Sequence, residues 1–232
     1  MKRNILLLLF SICQATGLLA QEADFAGHIG NLNMDDGLTF DNRYSGVKGS
    51  PFIFKEYQQA TLFTSSSQAM EATHLNFDRH ARELFYKPGS DKSPIRLNKY
   101  LIDSFHVYLP EDTLRFERLA LETQADYLYM ERLHAGKTSL YLDYGKTLNE
   151  ADYVDPYSAD RRYDEFKERP AFYIQLDVGS ELLEIKRSKK QFAAFFGSFN
   201  KQILDYMKAE KTSLQSKSDL ISVISYYDSL RD

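Results

Sequence analysis

The 232-residue chain has no Trp, a single Cys and only one long apolar run, which lies within its first 20 residues. Each shortage excludes something. One Cys cannot make a disulfide framework. It sits at position 13, inside the segment expected to be removed, so the mature chain offers no thiol for nucleophilic catalysis, Cys-based zinc or iron–sulfur ligation. A membrane-spanning helix needs roughly 20 predominantly apolar residues, and the run from Ile5 to Ile12 is too short. No HExxH, HxH, GxSxG elbow, P-loop or GxGxxG occurs, so the usual metal, nucleophile and phosphate sites have no sequence address. With 29 basic against 33 acidic residues and a net charge of -4, the chain is not a bulk nucleic-acid binder.

What is present begins with an export signal. Lys2 and Arg3 precede the apolar run, and Ala15, Gly17 and Ala20 follow it, the layout of a secretory signal peptide cleaved after Ala20. Loss of those two basic residues moves the net charge from -4 to -6. Lipidation on Cys13 is the lesser alternative, because bulky Ile12 stands where a lipobox wants a small residue. The chain is therefore expected in the periplasm or associated with the outer membrane, with no transmembrane span once mature.

Beyond the signal, residues 21–46 are rich in Gly, Asn and Asp and form an irregular lead-in. Residues 47–186 alternate in short β-branched, Leu and aromatic runs separated by turn chemistry. The clearest hairpin spans 126–144, where Gly136 is expected to take positive φ in the turn. Further hairpins are expected around 65–68, 78–81, 110–112 and 179–180. Strands joined this closely pair antiparallel.

From 187 to 232 the period changes. Phe192, Phe195, Phe196, Phe199, Ile203 and Met207 make one helical stripe capped by Ser188, weakened by about 1 kcal/mol at Gly197 relative to Ala. Leu220, Val223, Ile224, Tyr227 and Leu230 make a second, with Ser218 as its cap. The expected fold is α+β: an antiparallel curved meander of about eight to ten strands, with two C-terminal helices packed on it in the same domain.

Candidate sites are sparse. His74, His80, His106 and His134 lie near strands or turns, and His28 in the lead-in, without ligand spacing. Asp78-Arg79-His80 is best explained as turn chemistry. Asn31, Asn33 and Asp35 mimic a calcium loop, but Asp36 occupies the Gly position and Asn42 that of the bidentate Glu. Residues 145–170 fit neither period, and within them Tyr157, Arg161, Arg162 and Tyr163 are the weak ligand-binding candidates. A solvated hairpin extension is the plainer account of the same stretch. No catalytic residue, metal ligand or cofactor is assigned.

Gly46-Val47-Lys48-Gly49-Ser50-Pro51-Phe52-Ile53-Phe54, Arg96-Leu97-Asn98-Lys99-Tyr100, Asp219-Leu220 and Tyr226-Tyr227-Asp228-Ser229-Leu230 carry a resemblance. In these segments the chain resembles a family of uncharacterised exported proteins of Gram-negative bacteria, with Phe52 where that family has Tyr. The resemblance implies a signal peptide, a strand meander and a helical end, and no activity. The expected function is that of a non-enzymatic cell-envelope protein binding an apolar ligand, a lipid or a partner protein. Phe63, Phe77, Phe85, Phe105 and Phe116 would line its groove. The alternatives are a glycan-acting hydrolase using Tyr157, Arg161, Arg162, Asp164 and Glu165, and a structural accessory of a surface-assembly complex.

Overall fold

A computed structural model describes residues 42–65, 69–89, 91–122, 126–151 and 163–231. The expected signal segment with Cys13, most of the expected lead-in, and Tyr157, Arg161 and Arg162 lie outside the described residues.

Among the described residues, ten strands form one open sheet in which every pairing is antiparallel. The first four are β1 (Gln58–Thr64), β2 (Ala69–Asp78), β3 (Glu83–Tyr86) and β4 (Ile95–Arg96). Then come β5 (Ile102–Tyr108), β6 (Thr113–Leu119), β7 (Leu128–Ala135) and β8 (Ser139–Asp143). A separate ribbon of β9 (Lys146–Asn149) and β10 (Glu165–Glu168) interrupts the series before β11 (Ala171–Gln175) and β12 (Leu183–Glu184).

The expected meander holds with one rearrangement. The chain does not continue outward from β4; β5 returns to the free side of β1, giving the order β12-β11-β8-β7-β6-β5-β1-β2-β3-β4. The physical reason is local. β4 is two residues long and follows Pro94, which has no N–H to extend a ladder. β5 carries Ile102, Phe105 and Val107, which bury against Ala60 and Leu62 through the Ala60↔Val107 and Leu62↔Phe105 pairs. Residues 145–170, for which a hairpin extension is the plainer expectation, pair at their two ends as the antiparallel β9–β10 ribbon.

Register shows how one face is covered. Phe116 lies opposite Glu131, Glu131 opposite Leu142, and Leu140 opposite Ile174, so these residues share a face. At the β1–β6 end the sheet fills this face with its own rings. Phe105 stacks on Phe116 at 4.6 Å between centroids, and Tyr129 meets Phe105 edge-on at 5.1 Å and Phe77 at 6.0 Å. Fully burying such a side chain stabilises by about 1.5–3 kcal/mol. The groove expected there is therefore filled: Phe77, Phe105 and Phe116 are core residues, while Phe63 and Phe85 fall on the opposite face, against His106 and Phe52. At the β7–β12 end the same face is covered by helices, which pack Phe192, Phe196, Ile203, Met207, Val223 and Ile224 onto Leu140, Ile174 and Ile185.

The C-terminal segment holds three helices rather than the expected two: α1 (Lys189–Ala194), α2 (Asn200–Ala209) and α3 (Lys217–Leu230). Ser188 caps α1 as expected, accepting from the Gln191 amide at 3.3 Å. The aromatic stripe then breaks at Gly197, whose φ is +54°, a left-handed conformation that favours Gly. The break turns Phe196 and Phe199 onto Tyr227, at 4.5 and 5.7 Å. The cap of α3 is Ser216 rather than Ser218. Its hydroxyl accepts from the Asp219 amide, while the Asp219 carboxylate accepts from the Ser213 amide at 2.7 Å.

Gly136 also differs from expectation. It is not among the positive-φ residues; what it supplies is space, since a Cβ there would lie 2.2 Å from Asp228 Oδ2. That carboxylate meets His134 Nε2 at 3.1 Å and ties the end of α3 to the β7–β8 turn.

Gly197→Ala separates the continuous-helix reading from the broken one. A continuous helix would gain about 1 kcal/mol from the substitution, whereas the left-handed break loses about 1–2 kcal/mol. Urea unfolding should show a lowered midpoint for the variant.

Candidate functional site

Tyr157, Arg161 and Arg162 of the sequence-derived ligand candidates lie outside the described residues. Among the described residues only Tyr163 represents that set. It is exposed, its hydroxyl accepts from Lys48 Nζ at 3.0 Å, and the same ammonium lies 4.8 Å from its ring centroid. Asp164 accepts from the Ala151 amide, and Glu165 pairs with Lys167 at 3.2 Å. These contacts hold loop segments to β10.

The described histidines are dispersed. Asp78 Oδ1 accepts from the amides of His80 and Ala81 at 2.9 and 2.8 Å, an Asx turn, and Oδ2 accepts from Tyr44 Oη at 2.9 Å. His80 packs against the Tyr44 and Phe166 rings, which also meet each other at 5.1 Å. Arg79 clamps Glu168 with two bonds of 2.7 and 2.9 Å, and Arg82 clamps Asp143, fixing the β9–β10 ribbon and its approach to the sheet. His74 is exposed with φ +67°, at the bulge where β2 has an extra residue against β1. No three His, Cys, Asp or Glu side chains converge among the described residues. A shallow depression of about 290 Å³ lies by Gln59, Thr61, Glu71 and Tyr108, with Thr61 Oγ1 and Tyr108 Oη bonded across it at 2.9 Å.

A different constellation emerges at the end of the sheet where β5 begins. Tyr100, Leu101 and Tyr127 are exposed there, and the Tyr100 and Tyr127 rings meet edge to face at 6.4 Å. They come from two segments, 98–101 and 126–127, and the first is held by several hydrogen bonds. Asn98 Oδ1 accepts from the Tyr100 amide, and the Leu101 amide bonds the Asn98 carbonyl. From inside, Tyr129 shares its hydroxyl proton between the carbonyls of Lys99 and Ile102, at 2.9 and 2.8 Å. Burial pushes that hydroxyl well above the ordinary tyrosine range, so it remains a donor. Buried Leu97 anchors the same loop in the core.

Two cations support the rings. Lys99 pairs with Asp126 and lies 5.5 Å from the Tyr100 centroid. Arg118 pairs with Asp103 at 2.5 Å and lies 4.7 Å from the Tyr127 centroid. The layering is uneven: the Lys99 and Arg118 side chains are 15% and 17% exposed, whereas those of Asp126 and Asp103 are 47% and 45% exposed. Ser65, from the β1–β2 turn, donates to Asp103 at 2.9 Å. Periodicity reads Tyr127 as one more alternating strand residue, and nothing in the sequence brings it beside Tyr100. The one available signal was the adjacent pair Tyr100-Leu101 in an otherwise polar turn after Asn98.

No family model, curated protein or solved structure matches the chain.

Both carboxylates of this end have lowered pKa values. The Arg118 hydrogen bond is the main cause for Asp103, and the Lys99 hydrogen bond for Asp126. A depressed carboxylate pKa contributes stability that is present above the usual aspartate value and is lost as pH falls through the folded value. Side-chain NMR titration should therefore give midpoints for Asp103 and Asp126 below the usual aspartate range. The Tyr100–Tyr127 contact should persist until those midpoints are passed; midpoints at the usual value would contradict this.

Proposed function

We propose that the protein is an exported, non-enzymatic accessory protein of the Gram-negative cell envelope that binds a partner protein through its Tyr100–Tyr127 end. The observation that carries the reading is the set of exposed large side chains there, fixed by cations beneath and by Tyr129 from within. Rigid, exposed Tyr residues next to Arg are the composition that dominates protein-interface energetics. They lose little conformational entropy on binding, because the ordering has already occurred.

The filled interior favours a protein over an apolar ligand or lipid. The ring cluster of Phe77, Phe105, Phe116 and Tyr129 and the helix cover leave those aromatics buried against one another. The two carboxylates of the glycan-hydrolase alternative are likewise engaged, Asp164 with the Ala151 amide and Glu165 with Lys167. Export rests on the sequence of residues 1–20.

Site-specific photocrosslinking in a Gram-negative host tests the proposal. A benzoylphenylalanine at position 100 or 127 should yield a discrete heavier product in the envelope fraction. The same group at Val178, an exposed apolar residue on the β11–β12 turn, should not. Equal products at all three positions, or none at 100 and 127, would overturn the reading.

A further inference from the structure

The layering of charge at the Tyr100–Tyr127 end specifies its ligand more closely. Resting on the reading of that end as a binding surface, we infer that it receives a cationic segment of the partner, an Arg or Lys side chain seated on the tyrosine rings and paired with Asp103 or Asp126.

The argument is one of charge complementarity. The basic groups of the cluster, Lys99 and Arg118, lie beneath the rings, and the acidic groups, Asp103 and Asp126, face outward. An approaching ligand therefore meets carboxylate and aromatic surface first. The four charges cancel in sum, so the attraction comes from this ordering and from the negative net charge of the chain. Both contacts of Asp103 fall on Oδ1, so Oδ2 is open to a donor among the described residues. The arginine contact and the Ser65 bond keep Asp103 ionised and oriented. A guanidinium can pair with such a carboxylate while stacking on an adjacent tyrosine, two interactions that one planar group satisfies together. An anionic ligand would meet two exposed carboxylates and be repelled. A neutral sugar would gain from stacking but respond little to salt.

The test uses the full mature chain and a peptide of three Gly-Arg repeats. Matched peptides carry citrulline or Glu in place of Arg, and maltohexaose serves as the neutral sugar. Amide chemical shifts in NMR locate the site. The Gly-Arg peptide should shift Tyr100, Leu101, Asp126 and Tyr127, and bind at least about tenfold more tightly than the citrulline peptide. It should also weaken as salt rises from about 0.05 to about 0.5 M. Asp103→Asn should reduce binding severalfold, and Asp103→Glu should restore most of it, a pattern that simple unfolding would not give. Binding of citrulline and arginine peptides with equal affinity, shifts elsewhere, or preference for maltohexaose would overturn the inference. If photocrosslinking at position 100 succeeds while the arginine peptide fails, the surface stands and its cationic ligand falls. If both fail, so does the surface.

Discussion

A buried carboxylate decides how the two halves of this protein meet. Glu131 lies on the covered face of β7, where the ring-filled end of the sheet gives way to the helix-covered end. An ionised carboxylate in such a place costs several kcal/mol unless its oxygens are satisfied. Two groups converge on its Oε2: Tyr144 Oη donates at 2.6 Å and Lys217 Nζ donates at 2.7 Å, the ammonium also donating to the Tyr144 oxygen at 2.6 Å. Tyr144 packs into the aromatic core against Phe116, and Lys217 opens α3. Burial, reinforced by the Glu131 bond, pushes the Tyr144 hydroxyl well above its ordinary range, which keeps the proton on the donor. A single acid thus ties the start of α3 to the sheet and joins both cores. Lys217 would otherwise be a cation at the unfavourable end of a helix dipole.

The rest of the architecture accommodates that constraint. A sheet of ten antiparallel strands must cover one face twice over, by curling at β1–β6 and by docking helices at β7–β12. Gly197 interrupts the aromatic stripe so that Phe196 and Phe199 can reach Tyr227, and Gly136 lets Asp228 reach the β7–β8 turn. With this face filled by rings and helices, the proposed recognition falls to the surface. The end at which β5 begins is suited to it because Tyr129, a core residue, also orders the loop bearing Tyr100.

Much of the fold was legible because it follows from period. Alternation over 126–144 and the three- and four-residue steps from Phe192 to Met207 located the β7–β8 hairpin and the helical cover. The Asp78 turn and the Ser188 cap followed from local hydrogen-bonding chemistry. What period could not supply was long-range pairing. The return of β5 to β1, the ends of 145–170 closing as a ribbon, and the approach of Tyr127 to Tyr100 depend on contacts between distant residues. The five phenylalanines assigned to one groove illustrate the same limit: their strands were identifiable, but the face each presents depended on register and bulges, which divided them three to two. The choice of Ser216 over Ser218 turned on which serine places Asp219 at the third helical position.

Native-state hydrogen exchange tests the coupling of the two cores most directly. If the Glu131–Tyr144–Lys217 junction makes one cooperative body, the slowest amides of α3 and those of β5 and β6 open with the same free energy and respond together to low denaturant. Amides of α3 that exchange through a separate opening, well below that of β5 and β6, would show that the helices are an appendage and that the junction does not bind the halves together.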